Sequence, residues 1–237
     1  MMILENIVAL CNANAEIRTI SADEIDCAPN EVGILNIIPV DCPRLSEIVL
    51  GKPQESGAEA AYISINKLTD LAMHQEVDAI ATAPISKKTV RLRYPGFIGH
   101  TELLRDLTDS HNVLTMFQLG DMRVFFLTRH IAMRDVPAYI RREYVFGTLS
   151  RMTDCLNALG LDEPRLAVAS LNPHASDGGL FGEEETREIE PAIQEARESG
   201  LNVYGPVPAD VVFWLARQGK YDAVLALYHD QGHIATK

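Results

Sequence analysis

Positive charge is in short supply. The 237 residues carry 21 Lys and Arg against 33 Asp and Glu, a formal net charge of −12. No Lys/Arg-rich run is available to neutralise a phosphate backbone, so nucleic acid is excluded as an expected partner. Long apolar runs are also missing. No stretch approaches the roughly 20 apolar residues that cross a bilayer, and Met1–Leu10 contains Glu5 and lacks the basic opening of a secretory signal. A cytoplasmic protein with no membrane partner is expected. Cysteine is scarce: Cys11, Cys27, Cys42 and Cys155 make no Cys-x-x-Cys pair and no zinc-finger spacing, which predicts reduced thiols with packing roles. The glycines form neither a Walker loop nor a Gly-x-Gly-x-x-Gly turn, so the common nucleotide fingerprints are absent. What is present, 47% hydrophobic and 23% charged residues with 6% aromatics, is the composition of a globular chain long enough to bury a large core.

Short apolar segments alternate with segments of helical period, the pattern of βαβ units in a parallel sheet covered by helices. Strands are predicted at Gly33–Val40, Val77–Ala83, Arg123–Thr128, Arg165–Leu171 and Asp222–Leu227. Glu55–Gln75 sets Ala58, Ala61, Ile65, Leu68 and Ala72 at three- and four-residue spacing, which predicts a helix with one buried face. Phe146–Leu159 and Glu183–Ser199 read the same way, and Ala209–Gln218 as a shorter helix. Glu183, Glu184 and Glu185 suit the positive end of a helix dipole, and Gly200 stops that helix. Gly205-Pro-Val-Pro208 reads as a rigid turn and Leu10–Pro29 as an irregular surface segment; no internal repeat is present. The chain opens without a Gly-rich strand-to-helix turn and stops at Lys237, soon after a buried-looking strand that a helix would normally cover. A fragment incomplete at both ends is therefore expected, with exposed apolar surface that makes the isolated chain poorly soluble.

Three of the seven histidines directly follow predicted strands, in Thr128-Arg-His130, Asn172-Pro-His174 and Tyr228-His229-Asp230. Ligands of an open parallel sheet bind beyond the carboxyl ends of its strands, where three such loops bring imidazoles to one edge. Three imidazoles suit a divalent metal. Their separations of 44 and 55 residues are too long for a zinc ribbon or a His-Glu-x-x-His helix and fit a site assembled by the fold. Asp230 is placed to orient His229 or to join the coordination shell. The plainer alternative is that each histidine is a hydrogen-bonded loop residue, the reading adopted for His74 and His111. Gly99-His-Thr-Glu102 reads as a helix start with Thr101 as the cap, where His100 and Thr101 face a bound phosphate or carboxylate, or else as a plain capped helix. The loop from Asn172 to Glu185 contains Gly178, Gly179 and Gly182, which permit close backbone approach or positive φ. Lys237 is either a point charge for phosphate or carboxylate, or a solvated chain end.

Together, Gly99-His-Thr-Glu102, Thr128-Arg-His130 with Arg134-Asp-Val136, Leu171-Asn-Pro-His174, Pro206-Val-Pro-Ala-Asp210 and Tyr228-His-Asp-Gln-Gly232 resemble the 4-hydroxythreonine-4-phosphate dehydrogenase family, in order and spacing, from about Val77 to Lys237. The resemblance implies an α/β/α two-lobed fold similar to isocitrate and isopropylmalate dehydrogenases, with the active site in the cleft between lobes at a homodimer interface. It assigns one divalent metal (Zn, Mg, Mn or Co) to His130, His174 and His229, shared between subunits, and the phosphorylated substrate to His100, Thr101 and Lys237. The implied reaction is NAD-dependent oxidation of a secondary hydroxyl with loss of CO₂, in pyridoxal phosphate biosynthesis or a neighbouring branch. The family's usual opening Gly-Asp-Pro-Ala-Gly-Ile-Gly-Pro-Glu and its segments past Lys237 are not in this sequence. Gly232-His-Ile234 looks more like the branch acting on D-threonate or D-erythronate 4-phosphate than like the Gly-Leu-Pro of the vitamin-pathway enzymes, and Ser176-Asp177 replaces a usual Gly-Glu or Glu-Gly pair. Two other readings compete: a three-histidine metal hydrolase or lyase without NAD, and an inactive fragment or binding-only paralogue.

Overall fold

The computed structural model describes residues 2–110 and 113–237. The chain divides into two compact units, Met1–Val113 and Leu114–Lys237. In the first, helix α1 (Met2–Leu10) precedes two parallel strands, β1 (Glu16–Thr19) and β2 (Ile34–Ile37), followed by helices α2 (Glu55–Met73), α3 (Lys87–Arg93) and α4 (His100–Leu107). The predicted stripe on α2 is partly buried, with Ala58 and Ile65 among its most covered residues. Two expectations fail here. The irregular segment Leu10–Pro29 contains β1, whose Glu-Ile-Arg-Thr sequence is too short and too charged to stand out by pattern. Conversely, Val77–Ala83 forms no strand. Within this unit β1 and β2 pair only with each other among the described residues, so Val77–Ala83, with Val77 and Ile80 as its two bulky residues among Ala, Thr and Asp, has no ladder partner.

The second unit is a five-stranded mixed sheet in the order β3-β4-β7-β5-β6. Its strands are β3 (Met116–Leu119), β4 (Met122–Phe126), β5 (Leu166–Ala169), β6 (Val203–Val207) and β7 (Ala223–Ala226). Only β3 runs antiparallel to its neighbour. Helices α5 (Val136–Tyr139), α6 (Arg142–Ala158), α7 (Glu190–Glu198), α8 (Ala209–Arg217) and α9 (His229–Thr236) complete it.

The two-residue period of the strands sorts side chains into two cores. Phe125, Leu166, Val168 and Leu225 meet Val145, Leu149, Met152 and Leu156 of α6 and Ile193 of α7 on one face. Val124, Phe126, Ala167, Ala169, Val224 and Ala226 meet Val212 and Ala216 of α8 on the other. A parallel sheet covered on both faces is the expected α/β architecture. Helix α6 begins at Arg142, four residues ahead of its predicted start, because charged Arg142 and Glu143 hide the opening turn while Val145 already belongs to the buried stripe.

The remaining differences lie at breaks in the pattern. Glu183–Ser199 resolves into a wide π-turn over Glu185–Ile189 followed by α7. Gly205-Pro-Val-Pro208 is mostly strand: β6 is an edge strand, where a proline costs no inward hydrogen bond, and its pairing with β5 shifts register between Ala167 and Ala169. The end of β7 is covered after all, by α9, which the polar Tyr-His-Asp-Gln-Gly sequence disguised as a loop. Cys42 is buried and Cys155 packs on the core with its thiol pKa pushed up by burial, but Cys11 and Cys27 are exposed, so the packing role holds for two of the four. Among the described residues no helix is long and apolar enough to cross a membrane.

At the amino ends of β5 and β7, Arg165 Nε and Nη2 donate to Asp222 Oδ2 and Oδ1 at 2.9 and 2.8 Å, and the Arg165 amide adds a third bond at 2.7 Å. The guanidinium hydrogen bonds hold the Asp222 carboxyl below its usual range, against the opposing effect of burial. A depressed carboxyl pKa stabilises the fold above the unfolded-state value, and that stability is lost as pH falls through the folded value.

Two outcomes follow for this unit. Leu225→Ala, at a site with no exposure, is expected to cost about 2–5 kcal/mol in urea denaturation. Because the Arg165 side chain stays partly in water, Asp222→Asn is expected to cost only about 0.5–1 kcal/mol near neutral pH. That difference should shrink as the pH drops below 3.8, the ordinary carboxyl value; a penalty that does not change with pH would remove the ion pair as its cause.

Candidate active site at the carboxyl ends of the parallel strands

Strands β4 and β7 are adjacent and parallel, and their ladder continues past both ends. The Leu127 amide donates to Ala226 O at 2.8 Å, and Thr128 Oγ1 donates to Leu227 O at 2.7 Å. Arg129-His130 and Tyr228-His229 therefore leave the sheet side by side, with the two imidazole centroids 6.0 Å apart. Together with Arg129, Val136, Tyr228 and Asp230 they line a cavity of about 290 Å³. His229 opens α9, and its Nδ1 lies 2.6 Å from Asp230 Oδ1. A carboxylate there accepts the Nδ1 proton, fixes the tautomer and leaves the Nε2 lone pair free. The Arg129 guanidinium donates to Thr115 Oγ1 and carries a fixed positive charge at the cavity wall.

Three residues behind this wall hold it in place. Gln231 is buried and spans two strands: its Oε1 accepts from the Leu227 amide and its Nε2 donates to Ser170 O, both at 2.7 Å. Gly232 packs flush on Phe126, where a Cβ would overlap the ring. His233 is buried with its ring stacked on Phe126 at 4.6 Å, edge-on to Phe117 at 4.4 Å and 4.1 Å from His229. Burial first, then the neighbouring charges of His229 and Lys237, push its pKa down, so His233 packs as a neutral ring. Its Nδ1 has no hydrogen-bond partner.

His174 leaves β5 on a loop of a different kind. His174, Ala175, Ser176 and Asp177 have φ of 55°, 54°, 71° and 46°, a left-handed run that continues into Gly178. For residues with a Cβ this conformation costs about 1–2 kcal/mol each, so the surroundings must impose it. They do so through Glu185, which is fully buried. Its Oε1 accepts from the Leu171 and Asn172 amides and its Oε2 from Asn172 Nδ2, all at 2.8 Å. Glu184 Oε2 takes another Asn172 Nδ2 bond at 2.8 Å, and Ser176 Oγ donates to Gly182 O. Gly182, at φ 150°, has no room for a Cβ, which would lie 2.5 Å from Asn172 Nδ2.

The structure thus brings His130, His229 and Asp230 to one cavity, while His174 stands exposed on its own loop. Among the described residues of a single chain, no group of three or more His, Cys, Asp or Glu converges as a metal cage. His100 and Thr101 are the first two residues of α4 in the first unit; His100 lines a cavity of about 180 Å³ there. The cap of α4 is Gly99, in extended backbone, and Thr101 makes no side-chain cap, because the threonine already lies one position inside the helix. Lys237 is the exposed end of α9, its amide bonded to His233 O. His74 Nδ1 is 2.8 Å from Asp70 O at the end of α2, and His111 lies outside the described residues. In sequence, Gln231 and His233 stand inside family motifs with no role of their own, and Glu185 reads only as a helix-dipole charge. Glu185 was hidden among three acidic residues at a helix start, and only its two acidic neighbours stay solvated enough to fit that reading.

Comparison with known proteins gives the family and the fold. The family described as "Pyridoxal phosphate biosynthetic protein PdxA" matches residues 1–237. A Fusobacterium nucleatum relative named "Putative D-threonate 4-phosphate dehydrogenase" is 46% identical over 99% of this chain and 70% of its own length. A Clostridium botulinum protein of the same name is 43% identical with the same two coverages. The crystal structure of 4-hydroxythreonine-4-phosphate dehydrogenase from Klebsiella pneumoniae superposes with a TM-score of 0.88 at 35% identity, covering 98% of this chain and 70% of that one. The relatives are dehydrogenases of phosphorylated hydroxy acids by name, and their α/β fold is the fold found here. By the full-length match and these identities, the chain belongs to the family of the pyridoxal phosphate biosynthetic protein PdxA.

Proposed function

We propose that this chain carries the site of an NAD-dependent, metal-assisted dehydrogenase that oxidises and decarboxylates a 4-phosphorylated four-carbon hydroxy acid. D-threonate 4-phosphate is the first choice of substrate, ahead of D-erythronate 4-phosphate and 4-hydroxythreonine 4-phosphate. The observation that carries the reading is His130 beside an Asp230-oriented His229 in one cavity at the carboxyl edge of β4 and β7. Relatives at 46% and 43% identity named for D-threonate 4-phosphate, together with Gly232-His-Ile234, favour that substrate.

The donor set fits a divalent first-row ion, since an imidazole with its Nδ1 proton held by a carboxylate presents a basic Nε2. His130 and His229 would hold the metal, with His174 completing the set across a homodimer. No glycine cradle for a dinucleotide appears among the described residues, so no NAD contact is assigned to a side chain. When bound, the metal supplies Lewis acidity at the reacting oxygen and NAD accepts the hydride. Asp230 keeps the His229 ring in one tautomer. His233, neutral behind it, adds no charge that would repel a cation. Arg129 offers the cavity's fixed positive charge to the substrate carboxylate, and His100, Thr101 and Lys237 take the phosphate. A net charge of −12 repels a substrate that carries both a carboxylate and a phosphate, which makes the local positive charges of Arg129 and Lys237 the means of capture.

Two measurements test this. NADH formation with added divalent metal should be strongest with D-threonate 4-phosphate and should fall by about 100-fold or more in His229→Ala. Full activity in that variant would overturn the metal assignment, and preference for 4-hydroxythreonine 4-phosphate would overturn the substrate choice. Asp230→Asn, which leaves the ring but removes the charged acceptor, should weaken metal binding by about 10–100-fold in calorimetric titration.

A further inference from the structure

We infer that Glu185 is a positioning residue for metal binding: its buried carboxylate clamps the exit of β5, and through it the left-handed turn that presents His174. This rests on the assignment of His174 to the metal made above. A carboxylate with no exposure is costly to bury unless its lone pairs are met. Here they are met by the Leu171 and Asn172 amides and by Asn172 Nδ2, and none of the ion pairs among the described residues includes Glu185. An apolar side chain in this pocket would leave the Leu171 and Asn172 amides without their acceptor. What the carboxylate adds is direction. Both amides it holds immediately precede Pro173-His174, and the same carboxylate fixes the Asn172 side chain, which Glu184 grips from the other side.

The far end of the turn is tied to the same point. Gly182 approaches Asn172 so closely that no Cβ fits, and Ser176 donates to the Gly182 carbonyl. Four successive residues with left-handed φ have no local reason to stay so. Clamped at both ends on Asn172, the turn has one arrangement available before any ligand arrives. A loop so ordered loses little freedom on binding, which is the condition for tight coordination by a single histidine.

The test uses the full chain and four proteins: wild type, His174→Ala, Glu185→Gln and Glu185→Ala. Amide hydrogen exchange without metal reads the clamp directly, and calorimetric titration with Zn²⁺ alone reads coordination. Glu185→Gln keeps an acceptor oxygen for the two amides but turns a donor toward Asn172 Nδ2. It should speed exchange at Leu171 and Asn172 moderately and weaken Zn²⁺ binding about tenfold. Glu185→Ala should free the loop and approach the loss seen in His174→Ala, while the urea midpoint separates loop release from global unfolding. If Glu185→Ala does not fold, Glu185→Gln decides alone. Faster loop exchange with wild-type Zn²⁺ affinity in the Glu185 variants, while His174→Ala loses affinity, overturns this inference only. Unchanged affinity in His174→Ala overturns the ligand assignment and this inference with it.

Discussion

Strand β7 is the member on which the second unit depends. It is buried on both faces, flanked by parallel neighbours on both edges, and every residue from Ala223 to Leu227 is free of solvent. A one-residue slip of this strand would exchange Leu225 and Leu227 with Val224 and Ala226 between two cores of different size, so its register is set by packing on both sides. The hydrogen bonds that run past its end then become functional geometry. Thr128 reaches Leu227 from one side, Gln231 ties Leu227 to Ser170 on the other, and the loops bearing His130, His229 and His174 leave from fixed points.

Polar burial is organised differently at the two ends of this sheet. At the amino ends, Arg165 and Asp222 make a charged pair that stays partly in water and contributes modestly to stability. At the carboxyl ends two of the buried polar groups, Gln231 and Glu185, are satisfied by backbone amides, a carbonyl and one carboxamide. Groups of that kind add little net stability, but they fix direction, which an apolar core does not. Small residues serve the same end: Gly232 lets α9 lie against Phe126, and His229 stands at the start of that helix.

Much of this was legible from sequence. The apolar alternation located β2, β4, β5 and β7, the three-and-four spacing located α2, and the strand–histidine junctions pointed to the sheet edge where His130 and His229 meet. These signals depend on period and position, which a chain carries locally. The errors share a cause as well. Val77–Ala83 has the composition of a short strand but no ladder partner in its unit, β6 hides in a Gly-Pro sequence tolerated only at an edge, and α9 hides in polar residues whose buried members are Gln231, Gly232 and His233. None of these can be decided without knowing what lies alongside.

The sequence by itself determined the α/β class, the succession of most elements in the second unit and the residue types that can bind a cation and a phosphate, because local periodicity and side-chain chemistry need no partner to be read. Tertiary structure alone decided which histidines share a cavity, that Glu185 is a buried clamp where a helix-dipole charge was expected, and that Gln231 staples two strands. Each of those outcomes depends on contacts between residues distant along the chain or on burial, and burial is a property of the packed molecule.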